Sequence, residues 1–356
     1  MHHGSTEGRK SVTRPKRTTI NDVARYAGVG RGTASRVLNG TGSVSEQART
    51  KVQLAARELQ YSVDPLGRSL KRRRTYSIGV IIDTFRGHVN PRILEGIDRH
   101  LKPIHYYMSV SETENATYGE PLSVSLIERH RVEGLIVVYH GHERDTYTLI
   151  EALPPDLPIV TVGYAPDNER VFAVGIANGE ASYTLTGLLT SAGRRNICVI
   201  TGPAGHREAT ARLDGFRRAL TESGAQTDER RVFAGDWSAQ SGYERAREAL
   251  ERFPSLDGIV AQDDWMAIGA IRAIEDSGRK VPDDVSVVGF NDVAFAAFFR
   301  PALTTAVYPA YELGNACARH IVEWIETGRR PERPAAGNPS LDPKIIVRDS
   351  CGSRRR

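Results

Sequence analysis

The spacing of hydrophobic and polar residues changes near residue 76. Before that point, apolar residues recur every three to four positions in TTINDVARYAG (18–28) and VSEQARTKVQLAARELQY (44–61). This is the period of an amphipathic helix with one buried face. Gly28 ends the first of these helices, and a further helix is expected from about Arg31 to Leu38. The pattern therefore predicts three short helices and no strand in this part of the chain.

From Tyr76 onwards, short β-branched runs alternate with helical stretches. Such alternation predicts parallel sheets covered by helices on both faces. The runs form two sets, which predicts two α/β lobes with a ligand cleft at the carboxyl ends of their strands. A late strand is expected at Lys344 to Val347. The other predicted strands are YSIGVII (76–82), HYYMSV (105–110), EGLIVV (133–138), PIVTV (158–162), NICVITG (196–202), RRVFAG (230–235), DGIVAQ (257–262) and VSVVGF (285–290).

Charge is distributed unevenly along the chain. The net charge is only +5, yet segments 9–17 and 68–74 are strongly basic, and the second contains no acidic residue. A basic N-terminal fifth on a balanced body indicates a nucleic-acid-binding module attached to a neutral domain. A solvated arm at 9–17 and a charged linker are the alternative interpretation of the same composition.

Several classes of protein are not expected from this composition. No apolar run approaches the roughly 20 residues that a membrane span needs, and the polar N-terminus lacks the apolar region of a secretory signal. The three cysteines, Cys198, Cys317 and Cys351, lie far apart without metal-binding or redox spacing. We therefore expect a cytoplasmic protein with reduced thiols and no cofactor. No nucleotide-binding or hydrolase motif falls in its required context, so an enzyme is not expected.

The first two predicted helices, joined by a tight glycine turn, form a helix-turn-helix. The second helix of this motif enters the DNA major groove with its N-terminal residues at the base edges. Arg31 and Arg36 are the candidate base contacts because a guanidinium matches the acceptors of guanine, whereas Gly32 offers no reading side chain. An ordinary helical hairpin with a solvated charged face is the alternative. The candidate phosphate contacts are Thr19, Thr33, Ser35 and Asn39.

The segment TTINDVARYAGVGRGTASRVLNGTGSVSEQARTKVQLAARELQY, followed by GRSLKRRRTYSIGV, resembles the N-terminal part of LacI/GalR-family transcriptional regulators. The resemblance implies an all-α helix-turn-helix headpiece joined by a hinge helix to a sensor domain. That sensor is expected to be an α/β, two-lobe, periplasmic-binding-protein-like domain with doubly wound parallel sheets. The family binds pseudo-palindromic double-stranded operator DNA as a homodimer, which is the partnership expected here.

The hinge of this family folds on operator DNA and places a leucine in the minor groove. Leu70 is the matching residue, and Arg68 and Lys71 flank it. Wedging an apolar side chain between base steps bends the duplex. Two glycines depart from the family pattern: Gly30 replaces a capping serine, and Gly67 replaces an alanine. Gly67 is expected to weaken the hinge helix by up to ~1 kcal/mol.

The family resemblance continues through ITGPAG, ARLDGFRRAL, GDWSAQSGY, DWMAIGAIRAI and VSVVGFND to about Val347. Polar groups and an indole at strand ends suit a polyhydroxylated small-molecule effector, since an indole face can stack on a sugar ring. Other roles remain open: a surface arginine, a core tryptophan, a helix-capping aspartate and a turn asparagine. The candidate ligand contacts are Asp83, Glu208, Arg212, Trp237, Asp263 and Asn291.

These observations predict a sequence-specific transcriptional regulator, with repression as the expected sign, controlled by a sugar or sugar derivative. A solute-binding sensor or carrier without operator-specific regulation is the alternative. The predicted segments are a basic arm (1–17), a DNA-binding domain (18–61), a hinge (62–75), a ligand-binding and dimerisation domain (76–350) and a basic tail (351–356). Within the fourth segment, the first lobe is expected at about 76–192 and 309–335, and the second at about 193–308 and 336–350.

Overall fold

The computed structural model divides the chain into two compact units, Met1–Thr75 and Tyr76–Arg356. The predicted arm, most of the hinge and the last four residues of the tail lie outside the described part of the chain. The described residues are 18–39, 42–61, 74–85, 87–112, 131–138, 150–151, 153–163, 170–225, 228–332 and 339–352.

The first unit contains the three predicted helices. Among its described residues there is no strand, as the helical spacing indicated. Thr19 precedes the first helix, and its N–H and hydroxyl both donate to the Asp22 carboxylate, at 2.9 and 2.6 Å. This arrangement fixes the chain at the helix start. The helices are α1 (Ile20–Tyr26), α2 (Arg31–Asn39) and α3 (Glu46–Glu58).

A small core joins these helices. Val23, Ala34, Val52 and Ala55 are fully or almost fully buried, and half-buried apolar residues surround them. Gly28 adopts φ +65° after α1, a left-handed conformation that glycine reaches without steric cost. The turn therefore sends α2 back across α1, which leaves the opposite face of α2 open to solvent.

The second unit contains two six-stranded sheets and the helices that cover them. Its helices are α4 (Val89–Leu101), α5 (Asn178–Ser191), α6 (Arg207–Ser223), α7 (Ala239–Arg252), α8 (Asp264–Asp276) and α9 (Ala310–Thr327). Its strands are β1 (Ser77–Ile82), β2 (Tyr107–Glu112), β3 (Gly134–Val138), β4 (Ile159–Val162), β5 (Val171–Ile176), β6 (Ile197–Thr201), β7 (Val232–Ala234), β8 (Gly258–Ala261), β9 (Ser286–Asn291), β10 (Thr304–Val307), β11 (Ser340–Leu341) and β12 (Ile345–Ile346).

The first sheet has the order β11-β5-β4-β3-β1-β2, and the second has the order β12-β10-β9-β8-β6-β7. All neighbours are parallel except β12, which runs antiparallel to β10. In each sheet the strand order reverses beside the first strand of the lobe, β1 or β6. Such a reversal opens a crevice beyond the carboxyl ends of the strands, and open α/β sheets bind ligands there.

Two strands in the body of the sheets were not predicted. β5 is entirely apolar apart from its glycine, but only Ala177 separates it from α5, so the sequence shows no turn between strand and helix. β10 begins with Thr304 and Thr305, which are fully buried. The Thr305 hydroxyl donates to the Asp264 carboxylate at 2.6 Å. A polar strand is stable in the core because tertiary partners satisfy its hydroxyl groups.

The chain crosses between the lobes three times, and two crossings differ from the predicted boundaries. Helix α5 packs against α6 and the second sheet, so the first crossing is at Ala177 and not near residue 192. The second crossing connects β10 to α9, which packs on α4 and the first sheet. Segment β11 pairs with β5 in the first sheet, although residues 336–350 were assigned to the second lobe. The third crossing therefore lies between β11 and β12.

Helices on the sheets pack in pairs at glycines. A Cβ built on Gly96 would lie 2.0 Å from the Tyr311 carbonyl oxygen, where α4 meets α9. A Cβ on Gly269 would lie 2.0 Å from the Ala239 carbonyl oxygen, where α8 meets α7. Backbones this close allow no larger side chain, and the helix pairs therefore form tightly packed layers.

Candidate functional site

The exposed face of α2 carries the residues that were predicted to read DNA. Arg31, Gly32 and Arg36 are exposed, while Thr33 and Ser35 are half-buried beside them. No acidic residue lies in the first turn of this helix. The face is therefore cationic and open, as contact with a phosphate backbone requires.

Arg36 bends back along this face. Its Nε donates to the Gly32 carbonyl oxygen at 3.3 Å, and a Cβ built on Gly32 would lie 3.9 Å from Arg36 Nη2. The space above Gly32 is thus bordered by the Arg36 guanidinium. A residue without a side chain at position 32 allows Arg36 to extend over the start of the helix.

The other predicted DNA contacts are placed as follows. Thr19 is exposed at the start of α1, on the described surface of the headpiece. Asn39 ends α2, and its side chain lies outside the described part of the structure. Arg68, Leu70 and Lys71 of the predicted hinge also lie outside the described residues.

A cavity of about 630 Å³ lies between the two lobes, at the carboxyl ends of their strands. All six predicted ligand residues line it. One comes from the first lobe and five come from the second, so the tertiary structure brings together residues up to 208 positions apart (83 to 291). The lining residues are Asp83, Thr84, Gly87, His88, Val89, Asn90, His206, Glu208, Arg212, Asp236, Trp237, Ser238, Asp263, Trp265, Asn291 and Tyr308.

Arg212 lies at the base of the cavity and is only 4% exposed. Its Nε donates to Asn178 Oδ1 at 2.8 Å, and its Nη1 donates to the Gln262 carbonyl oxygen at 2.6 Å. The guanidinium also lies 3.6 Å from the centre of the Phe290 ring. Burial lowers the pKa of Arg212, and the charge of Glu208 acts in the opposite direction. Arg212 is thus held in place while it lines the cavity, and its guanidinium has further N–H donors beyond these two bonds.

Asp263 and Asn291 form a hydrogen-bonded pair across two strand ends. Asn291 Nδ2 donates to Asp263 Oδ2 at 2.6 Å, and Asp263 Oδ1 accepts from the Trp265 N–H at 2.7 Å. Asp263 therefore has the capping role considered for it, at the start of α8, and it also lines the cavity. Burial raises the pKa of Asp263 to about 6, while the Trp265 N–H and the charge of Arg212 lower it. Asn291 holds φ +113°, a strained backbone conformation often found at ligand sites.

Asp264 supports this wall from behind. Its side chain is fully buried and accepts from the Thr305 hydroxyl at 2.6 Å and from the Val293 N–H at 2.8 Å. Burial raises the pKa of Asp264 to about 7, and these two hydrogen bonds act in the opposite direction. The bond to Val293 holds the loop that follows Asn291.

Trp237 forms the aromatic wall of the second lobe. Its indole lies directly on Gly202, where a built Cβ would come within 1.9 Å of Cζ2. The His206 ring packs edge-on at 5.9 Å, and the Arg212 guanidinium lies 5.8 Å from the indole. Trp237 itself holds φ +71°. The indole is therefore fixed from several sides before any ligand arrives.

The first lobe supplies the opposite wall. Asp83 Oδ1 accepts from Asn90 Nδ2 at 2.6 Å and from the Thr84 N–H at 2.8 Å. His88 lies beside them, and burial lowers its pKa. From the second lobe, Glu208 reaches Gly163 so closely that a Cβ there would lie 3.1 Å from Oε1. Glu208 therefore spans the cleft between the lobes.

Sequence reasoning missed several lining residues, among them His88, Asp236, Trp265 and Tyr308. Asp236 directly precedes Trp237, and Trp265 lies two residues after Asp263, so both fall within the motifs GDWSAQSGY and DWMAIGAIRAI. Asp236 Oδ1 accepts from the Ser238 N–H at 2.9 Å, and this bonding lowers the pKa of Asp236. Tyr308 is buried at a crossing between the lobes, and no local pattern marks it.

No metal centre or membrane segment is found in the described parts of the chain. Their histidine, cysteine and acidic side chains form no group of three or more that could hold a metal ion. Their helices include none that is long and apolar enough to cross a membrane. The three cysteines are buried and form no disulfide.

Comparison with known proteins agrees with both units. Residues 19–64 match the bacterial regulatory proteins of the lacI family, and residues 186–351 match a periplasmic binding protein-like domain. The transcriptional regulator RegA of Clostridium saccharobutylicum is 31% identical, covering 94% of this chain and 99% of that protein. The transcriptional repressor PurR of Salmonella arizonae is 30% identical, covering 93% of this chain and 97% of that protein.

Solved structures show the same likeness. A lac repressor dimer bound to operator and the anti-inducer ONPF has a TM-score of 0.80 at 27% identity, covering 94% of this chain and 99% of that one. A complex of the transcriptional regulator CelR with cellobiose has a TM-score of 0.70 at 30% identity, covering 94% of this chain and 100% of that one. The fold, the helix-turn-helix and the full-length relatives agree, and the chain belongs to the lacI family of helix-turn-helix transcriptional regulators.

Proposed function

We propose that this regulator is an effector-controlled repressor that acts in the cytoplasm. It binds a pseudo-palindromic operator as a homodimer, and a sugar or sugar derivative binds between its lobes. The observation that carries the proposal is the combination of two features in one chain. An open cationic recognition helix accompanies a cavity of about 630 Å³ lined by polar groups and fixed indoles.

In the proposed complex, α2 enters the major groove. Arg31 and Arg36 read guanine, while Thr33 and Ser35 contact phosphates. Thr19 and Asn39 add phosphate contacts at the ends of α1 and α2. Arg68 and Lys71 place Leu70 in the minor groove at the centre of the operator. The similar lac repressor is described as a dimer bound to operator, which supports this arrangement.

In the sensor, Arg212, Asp263 and Asn291 bind ligand hydroxyl groups, and the Trp237 indole stacks on the ring. Asp83 and Glu208 bind the same ligand from the first-lobe side and across the cleft, which couples ligand binding to lobe closure. The similar CelR binds cellobiose, which supports a carbohydrate ligand. An effector that binds one lobe arrangement better than another shifts operator affinity, and the coupling is reciprocal.

The test of DNA binding uses full-length protein and duplexes selected from a random library, measured by fluorescence anisotropy at two salt concentrations. We expect a pseudo-palindromic selected site. Arg36→Ala should weaken binding by about 1–3 kcal/mol per half-site, because a bidentate base contact is lost. Arg247→Ala is the matched control, since it removes another exposed guanidinium, on α7. A protein that ignores duplex DNA at low salt but binds sugars would instead be a carrier.

The test of effector control uses Trp237→Ala. This variant should retain operator affinity and lose the response of operator binding to sugars. Calorimetry should show the loss directly as weaker sugar binding. Unchanged sugar affinity in the variant would refute the role proposed for the indole.

A further inference from the structure

The charges around the effector cavity are unbalanced. Four carboxylates line it, and the described lining contains one guanidinium, that of Arg212. Hydrogen bonding keeps the pKa of Asp236 low, so this carboxylate is ionised at neutral pH. Two imidazoles, those of His88 and His206, also line the cavity. Burial lowers the pKa of His88, so this imidazole adds no positive charge at neutral pH. The other three carboxylates are Asp83, Glu208 and Asp263.

Four helices begin at the cavity, and their N-terminal ends would ordinarily attract anions. Side-chain hydrogen bonds cap two of these ends, and an acidic side chain lies near each of the other two. The Asp263 carboxylate caps α8, and the Ser238 hydroxyl accepts from the Ser241 N–H at the start of α7 at 3.0 Å. Glu208 lies in the first turn of α6. Asn90, in the first turn of α4, donates to Asp83.

Arg212 does not restore an anion site. Two of its N–H groups donate to the neutral oxygens of Asn178 and Gln262. The carboxylates of Glu208 and Asp263 lie close enough to raise its pKa. A phosphate or carboxylate that approached Arg212 would therefore meet these two acidic groups in a poorly hydrated site, where like charges repel strongly. A hydroxyl group meets no such repulsion and can accept from Arg212 while donating to a carboxylate.

We propose that this cavity selects its effector by charge and takes an uncharged polyol, excluding sugar phosphates and sugar acids. The inference rests on the proposed function, because it concerns the same effector site. It narrows the effector class from sugars and their derivatives to free, unphosphorylated ones. Four acidic side chains, three of them beside helix starts that could otherwise bind phosphate, provide the selectivity.

The experiment measures the binding of matched sugars to the full-length protein. Neutral monosaccharides and disaccharides are screened by thermal shift alongside their 6-phosphates and uronic acids, and hits are quantified by calorimetry. We expect an uncharged member to bind and its anionic partner to bind at least about tenfold more weakly, which corresponds to ~1.4 kcal/mol. The penalty should persist at high salt, since enclosed charges are screened less than exposed ones.

Variants identify the source of the selectivity. Glu208→Gln and Asp236→Asn keep the side-chain shape and remove one charge each. Each variant should therefore reduce, at least threefold, the ratio of the affinity for a neutral sugar to the affinity for its anionic counterpart. Glu251→Gln is the matched control, because this carboxylate lies 70% exposed on the outer face of α7. This control should leave the ratio of neutral-sugar to anionic-sugar affinity unchanged.

Two results would overturn the proposal of charge selection, and they differ in their consequence for the proposed function. An anionic sugar that binds as tightly as its neutral partner refutes selection by charge and leaves sugar-controlled repression intact. A panel in which no polyol of any charge binds at millimolar concentration refutes a polyol effector altogether. Operator binding, measured separately, then shows whether the repressor function survives.

Discussion

Gly202 places the Trp237 indole, and replacing it by alanine tests how far the effector site is preorganised. In the structure, the added Cβ would lie 1.9 Å from Cζ2 and 2.0 Å from Cη2 of the indole. Carbon atoms in contact are separated by about 3.5–4.0 Å. The ring must therefore move by roughly 1.5 Å or more, or the backbone that follows β6 must shift.

The expected loss of sugar affinity depends on whether the indole or the backbone at Gly202 moves. Overpacking a well-filled site costs about 1–3 kcal/mol. The Gly202 N–H donates to Gln262 Oε1 at 3.1 Å, and Gln262 is itself 1% exposed, so the backbone there is firmly held. The indole borders the open cavity on one side, so it is the part that can be displaced, at the cost of its contacts with His206 and Arg212. We therefore expect sugar affinity to fall about 5- to 150-fold, the equivalent of that energy, with little loss of folding stability.

The assay combines calorimetry of sugar binding with thermal unfolding and tryptophan fluorescence. Gly187→Ala is the matched control, because Gly187 lies within α5 and a Cβ there would meet no atom within 4 Å. The control should keep sugar affinity and gain about 0.5–1 kcal/mol of stability from helix propensity. Unchanged sugar affinity in Gly202→Ala, together with a lowered melting temperature, would show that the backbone yields and that the indole does not need this support.

Three further predictions concern stability and DNA recognition. Asp264→Asn should flatten the pH dependence of folding stability. In the wild type, the pKa of the Asp264 carboxyl is raised to about 7, so the folded protein loses stability as pH rises through 7. This loss is at most about 4 kcal/mol, and the variant should not show it. Melting temperatures at pH 5 and pH 8 that differ equally in both proteins would contradict this. Asp22→Ala should lower the headpiece transition by about 1 kcal/mol in calorimetry, since it removes the partner of the Thr19 N–H, and it should leave the sensor transition unchanged. Gly32→Gln should change the operator obtained by selection from random duplexes, because it fills the space beside the Arg36 guanidinium; recovery of the same operator would mean that Gly32 is merely tolerated.

Local pattern was sufficient for the elements whose stability is local. The three headpiece helices follow from apolar spacing, the first of them is followed by Gly28, and most strands follow from β-branched runs. The boundaries that failed depend on distant contacts. Ala177 carries no turn signal, yet the chain leaves the first lobe there because α5 packs on α6. Thr304 and Thr305 resemble loop residues until their partners in the core are known.

The sequence by itself determined the family, the order of the domains and six polar or aromatic candidate residues, four of them at or just after strand ends and two in α6. Only the tertiary structure placed those six around one cavity, because parallel strands of two sheets bring together residues that are far apart in the chain. It alone added His88 and Tyr308, whose positions depend on the packing of the lobes. The charge balance of the cavity is likewise a tertiary property. It depends on which carboxylates face the same space and on how close they lie to the helix starts, and neither can be determined from spacing along the chain.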